Sequence, residues 1–268
     1  MKTSIGKWFG LTLVALCGYA ASIVLAAPAT VFELTGTVQA IPGAGSPKAL
    51  RKGDAVEQGE TVVTGENSSV VLRFEDGQVA ALSARSRMTV TTYNYNKADV
   101  AKSNIFLTLV EGGMRAITGL IGKQKPSQVA YRAGNATIGI RGTDVTIAVN
   151  GGVVAVTVTE GEITITYDGK SVTIPASQGW MVSNGKVQSL PADQIIASIS
   201  AQGTPAAMAV ASALQSAKAS AIQQAVQSAA QSQSQTGQTS SSTPTSTPLP
   251  TGTGPSSSGS GGGSASTR

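Results

Sequence analysis

The sequence contains no histidine, and its single cysteine, Cys17, lies in an apolar N-terminal segment. With that segment removed, neither residue type remains. Histidine-dependent triads, cysteine nucleophiles, disulfides and zinc sites of the His/Cys kind are then excluded. Carboxylate pairs, Ser/Lys chemistry and oxygen-ligand calcium sites stay open. The acids beside glycines lack the dense Asp/Asn spacing of a calcium loop. No catalytic residue, metal or cofactor is therefore expected. Charged residues make up only 12% of the chain and aromatics 4%, with a net charge of +5. Removing Lys2 and Lys7 from 19 basic residues leaves 17 against 14 acidic ones, or +3. The basic side chains are scattered (Arg51, Lys52, Arg85, Arg115, Arg132 and Arg141 among them), and only Tyr93 and Tyr95 come near an aromatic platform. Nucleic-acid binding needs a basic stripe, so no nucleic-acid partner is expected.

The N-terminus has Lys2 and Lys7, then an uncharged apolar run from Trp8 to Ala26, then Ala26-Ala27-Pro28-Ala29. Charge, apolar run and small residues in that order form a secretory signal pattern, expected over residues 1–27. A retained anchor is the rival reading, because the run approaches the roughly 20 residues that span a bilayer. Cleavage is favoured, leaving no stable membrane insertion and a periplasmic or secreted protein. Lipidation of Cys17 is not expected, since Leu16 stands where a small residue is needed. A chain of this length can build a core without disulfides.

Residues 30–190 are rich in Val, Ile, Thr and Gly and predict an all-β domain. Val70, Leu72 and Phe74 alternate with Ser69, Val71, Arg73 and Glu75 ahead of an Asp76-Gly77 turn, and Gln78 to Leu82 returns. Ile163, Ile165 and Tyr167 alternate with Glu162, Thr164 and Thr166, and Asp168-Gly169 turns the chain toward Val172 and Ile174. Thr143 to Val149 and Val153 to Thr159 flank Asn150-Gly151-Gly152, a further hairpin. Met88 to Tyr95 predicts a strand, Phe106 to Val110 a strand entering a turn at Glu111-Gly112-Gly113, and Gly119 to Ser127 a loop. Gly53-Asp54, Gly59-Glu60 and Gly65-Glu66 recur six residues apart. That repeat leans toward a solenoid-like roll, with a sandwich of short strands as the alternative.

Residues 191–235 change period. Ala206, Ala209, Val210, Ala213, Leu214 and Ala217 through Val226 recur at three and four, which predicts a helix. An alanine stripe buries little area per turn, so weak docking on the β domain is expected, with self-association through 206–226 as the sharper reading. Residues 236–268 are almost purely Ser, Thr, Gly and Pro and predict a disordered tail.

Several motifs occur in a telling order: Leu50 to Asp54, Thr64-Gly65, the strand with Asp76-Gly77, Leu109 to Gly113 with Arg115, and Gly139-Ile140-Arg141-Gly142-Thr143. Over residues 50–165 the chain resembles the FecR domain, named after a periplasmic regulator of iron-citrate uptake. The resemblance implies an all-β extracytoplasmic module. In the named regulator it stands between a cytoplasmic anti-sigma segment with a membrane helix and a C-terminal domain that contacts an outer-membrane transporter. Here only seven residues precede the apolar run, so the anti-sigma function is not carried over.

Arg141, between two glycines, has two readings. It could hold a carboxylate or phosphate of a ligand. The favoured reading is a buried structural pair with Asp54, Asp76, Glu111 or Asp144, costing roughly 3–5 kcal/mol if broken. The functional expectation is a secreted, non-enzymatic binding or assembly module at the bacterial cell envelope, with an unknown envelope protein or glycan as partner. The alternatives are a periplasmic sensory accessory with a separate signalling partner, or, further off, a carboxylate-based glycan hydrolase.

Overall fold

A computed structural model describes residues 28–202 and 205–217. The expected signal peptide, the second half of the Ala/Gln-rich segment and the expected disordered tail lie outside the described residues. The chain opens with β1 (Ala29–Thr35), β2 (Val38–Ile41), β3 (Lys48–Ala49), β4 (Ala55–Val56), β5 (Thr61–Thr64), β6 (Ser69–Phe74), β7 (Val79–Leu82) and β8 (Arg87–Asn94). Next come β9 (Asn104–Ile117), the short helix α1 (Leu120–Gln124), β10 (Val129–Ala133), β11 (Ala136–Asn150) and β12 (Val153–Tyr167). The last elements are β13 (Lys170–Pro175), β14 (Gln178–Ser183), β15 (Lys186–Pro191) and the helices α2 (Ala192–Ser200) and α3 (Pro205–Ala217).

The fold is all-β as expected, with all the strands in one 15-stranded sheet. The three long strands change partners halfway along. The first half of β9 pairs with β8 and β10, and its second half with β7 and β11. β11 pairs first with β10 and then with β9, while β12 pairs first with β14 and then with β13. The sheet thus forms two leaves that share β9, β11 and β12. The first leaf holds β2, β3, β5, β8, β10 and β13, and the second holds β1, β4, β6, β7, β14 and β15. One continuous core fills the space between them. Leu107, Tyr131 and Ile138 come from the first leaf and Leu72, Met114 and Trp180 from the second, all fully buried.

The bends have local causes. β9 turns at Gly112, whose φ of 86° is a left-handed conformation suited to glycine. Gly113 then donates its backbone N–H to the buried Ser86 hydroxyl at 2.9 Å. Glu111-Gly112-Gly113, expected to end a strand, is therefore a bend within one. Gly139 to Thr143, expected to join two runs, likewise lies inside β11, where the register with β12 shifts between Arg141 and Asp144. The hairpins at residues 151–152 and 168–169 form as expected, and the predicted loop at 119–127 contains α1. Among the described residues, only β9 and β10 run parallel. The antiparallel pairing elsewhere makes this a sandwich rather than a solenoid of stacked parallel coils. The glycines at six-residue spacing lie in the turns that carry the chain from one leaf to the other between short strands.

Helices α2 and α3 cover the outer face of the second leaf over β9, β11, β12, β14 and β15. Ile195 and Ile199 of α2 and Ala207, Val210, Ala211, Ala213 and Leu214 of α3 bury Ala148, Val153, Ala155 and Met181. That strand segment is consequently apolar on both faces, and every residue from Thr143 to Val149 is buried. The predicted alanine stripe is in contact with the sheet, through small residues. A Cβ built on Gly113 would lie 2.8 Å from the Cβ of Ala213, so glycine meeting alanine brings helix and sheet unusually close. Val210 and Leu214 each add about 1.5–3 kcal/mol of burial. The apolar stripe within 207–214 is thus occupied by the sheet.

Candidate functional site

Arg141 is not the buried structural arginine. Its side chain is 77% exposed, and its nearest acid is Glu162, at 4.0 Å. Alternation explains this: Ile138 and Ile140 point into the core, so Thr137, Gly139 and Arg141 face outward. The buried pair is Arg115 with Asp144, whose side chains are 12% and 10% exposed. Arg115 Nε donates to Asp144 Oδ1 at 2.8 Å while Nη2 donates to Oδ2, a bidentate fork. The Asp144 carboxylate raises the Arg115 pKa above its ordinary value. Of the other proposed partners, Asp54 accepts from the Arg51 backbone N–H, and Glu111 accepts from the Asn150 side chain.

Asp76, the remaining acid, is fully buried and ties the β6–β7 turn to α1. Its Oδ1 accepts from the Gln78 N–H at 3.1 Å, its Oδ2 accepts from the Ile121 N–H at 3.4 Å, and its carbonyl accepts from the Leu120 N–H. Tyr93 Oη accepts from the Asp76 N–H, and Tyr131 Oη donates to Gln78 Oε1. Burial raises the Asp76 pKa despite these bonds, and burial beside Asp76 raises those of Tyr93 and Tyr131. This cluster ties the β6–β7 turn to α1 and reads as a joint. Among the described residues, no group of three or more acids, histidines or cysteines converges on a point where a metal could sit.

The outer face of the first leaf carries neither α2 nor α3 and holds one of the accessible clefts. Thr61 of β5 stands opposite Thr89 of β8, and Thr89 opposite Thr108 of β9. Thr108 stands beside Arg132 of β10, Arg132 opposite Thr137 of β11, Thr137 opposite Thr166 of β12, and Thr166 opposite Ser171 of β13. A single row of hydroxyls broken by one guanidinium therefore crosses seven adjacent strands. Neighbouring hydroxyls bond one another: Thr61 with Thr89 at 2.8 Å, and Thr166 with Ser171 at 2.9 Å. At the spacing of paired strands, about 4.8 Å, the row is about 29 Å long.

Beside it runs a second row of smaller side chains, Ala130, Gly139 and Thr164, continuous in register. Their small size leaves a trough of about 300 Å³, walled by Pro126 and Ser127 on one side and by Arg141 and Glu162 on the other. The Arg132 guanidinium lies over the ring of Phe106 at 5.7 Å. Gly139 and Arg141 of the motif singled out in the sequence thus line the trough. The hydroxyl row itself escaped the sequence reading. Each strand shows its alternating threonines, but their alignment depends on register between strands far apart in the chain.

No helix among the described residues is long and apolar enough to cross a membrane. A comparison with curated proteins finds no match. Two crystal structures of a "putative anti-sigma factor" from Parabacteroides distasonis, at 1.65 Å and 2.50 Å resolution, are similar to the chain at 15% identity. The TM-scores are 0.41 and 0.42, each over 53% of this chain; the alignments cover 65% and 64% of those chains, less than two thirds. Residues 60–164 match the family model described as FecR protein. That span runs from β5 into β12 and takes in the Asp76 joint, the Arg115–Asp144 pair and the Gly139-to-Thr143 motif. The chain therefore carries a FecR-like domain.

Proposed function

We propose that this FecR-like domain is a secreted, non-enzymatic binding module of the bacterial cell envelope, and that it meets its partner, an envelope protein or a glycan, on the bare outer face of the first leaf. The observation that supports this most is the asymmetry between the two leaves. The second is covered in its middle by α2 and α3, while the first carries neither helix and leaves the trough and Arg141 open to solvent. Lys2, Lys7 and the apolar run after them support export.

Crosslinking and pull-down from the native envelope, with the full chain as bait, tests the reading. Gly139→Val puts bulk on the trough floor at a position with room for a Cβ, whose nearest neighbour would be 3.7 Å away. A partner captured by the wild type and lost with Gly139→Val supports it; undiminished capture by the variant refutes it. A second reading, a sensory accessory to a separate signalling partner, is supported by the FecR resemblance. It predicts that the captured partner is a regulatory membrane protein.

A further inference from the structure

Resting on that binding-module reading, we infer that the hydroxyl row and its trough bind a linear acidic polysaccharide, laid across the strands of the first leaf. Three features of the face select this ligand class. The row is periodic: one polar side chain per strand, a hydroxyl on six strands and the Arg132 guanidinium on β10, repeated at the strand spacing, matches a polymer of ring-sized units better than the irregular surface of a folded protein. The face is also poor in the large aromatic anchors that concentrate binding energy in protein interfaces; Phe106 is the one aromatic ring beside the row, and Arg132 lies over it. Each threonine offers a donor, acceptor capacity and a methyl group, which together suit the hydroxyls and C–H faces of a sugar chain.

Charge narrows the class to acidic polymers. Arg132 makes no salt bridge among the described residues, and Arg141 is held by Glu162 only at 4.0 Å. Both guanidiniums are exposed; Arg141 lines the trough, and Arg132 stands in the adjoining hydroxyl row, over Phe106. A planar fork of donors suits a carboxylate, so sugar carboxylates spaced along the polymer would find Arg141 at the trough and Arg132 in the row, against the single acid Glu162 in the trough lining. The floor of Ala130 and Gly139 lets a ring approach the sheet backbone closely, and Gly139 is where added bulk would exclude it.

Affinity electrophoresis and titration calorimetry of the full-length chain, with polygalacturonate as the acidic probe and dextran as the neutral one, test the inference. The expected result is retardation by polygalacturonate that weakens as salt rises, with little effect of dextran. Gly139→Val, and separately Arg132→Ala with Arg141→Ala, should each reduce affinity at least tenfold while the circular dichroism spectrum and melting temperature stay at wild-type values. Equal binding of dextran, or equal binding by the variants, overturns the inference. Failure to bind either polymer while Gly139→Val still abolishes capture of an envelope protein overturns the polysaccharide and leaves the binding-module reading standing. Capture indifferent to Gly139→Val removes both.

Discussion

Replacing Arg115 with alanine should be among the most damaging single changes in the protein, and replacing Arg141 among the mildest. The reason lies in where the two charges sit. Arg115 and Asp144 are nearly buried and share a bidentate contact. Asp144 lies between Thr143 and Val145 on a strand segment buried throughout. Removing the guanidinium leaves a carboxylate with little water and no counter-ion, at a cost of about 3–5 kcal/mol. For a domain of this size that corresponds to a fall in melting temperature of about 6–20 °C. Arg141 is solvated and loosely paired, so Arg141→Ala should change stability by no more than about 0.5 kcal/mol. Equilibrium urea unfolding of both variants, followed by tryptophan fluorescence from buried Trp180, measures the contrast. Arg115→Met combined with Asp144→Leu should recover most of the loss, because replacing a buried pair by apolar groups is often neutral. A loss below about 1 kcal/mol for Arg115→Ala, or equal losses at the two arginines, would refute this reasoning.

Gly161→Ala should destabilise far more than Gly142→Ala in thermal melts. Both residues have positive φ, 76° and 61°, but only at Gly161 would the added methyl overlap the Gly142 carbonyl oxygen, while Gly142 itself faces open space. Gly113→Ala should loosen α3 by forcing apart its contact with Ala213, at about 1–3 kcal/mol; limited proteolysis should then cut near α3 before the strands, and an unchanged cleavage pattern would count against the close packing. Asp76 binds its proton more tightly when folded than when unfolded. Its contribution to stability is therefore greatest at low pH and is lost as pH rises from the unfolded value, near 3.8, through the raised native value. Stability of the wild type relative to Asp76→Asn should fall across that window, and a flat difference would contradict the assigned burial.

Local signals were legible where one residue decides the conformation. Asp168-Gly169 between alternating runs specified its hairpin, and the motif order from Gly65 to Thr143 was enough to recognise the FecR-like domain. Glu111-Gly112-Gly113 misled because a glycine pair permits both a reversal and a bend, and the choice is made by distant Ser86. Arg141 could have been placed correctly, since its parity with Thr137 and against Ile138 and Ile140 puts it on the outer face. The burial of Arg115 could not, because no local pattern records that the second leaf is packed on both sides. The seal formed by α3 was hidden for a related reason: its closeness depends on Gly113 meeting Ala213, residues 100 positions apart.

The two-sided burial of the second leaf sets the smallest fragment that can stand alone. A polypeptide limited to residues 60–164 would lack β1, which pairs with β6, and β14, which pairs with β12. It would also uncover Ala148, Val153 and Ala155 once α2 and α3 were gone. Open strand edges beside a bare apolar surface are a recipe for aggregation. The unit that an experimenter can express in soluble form therefore runs from Ala29 through α3, and the region matched by the family model is only its middle.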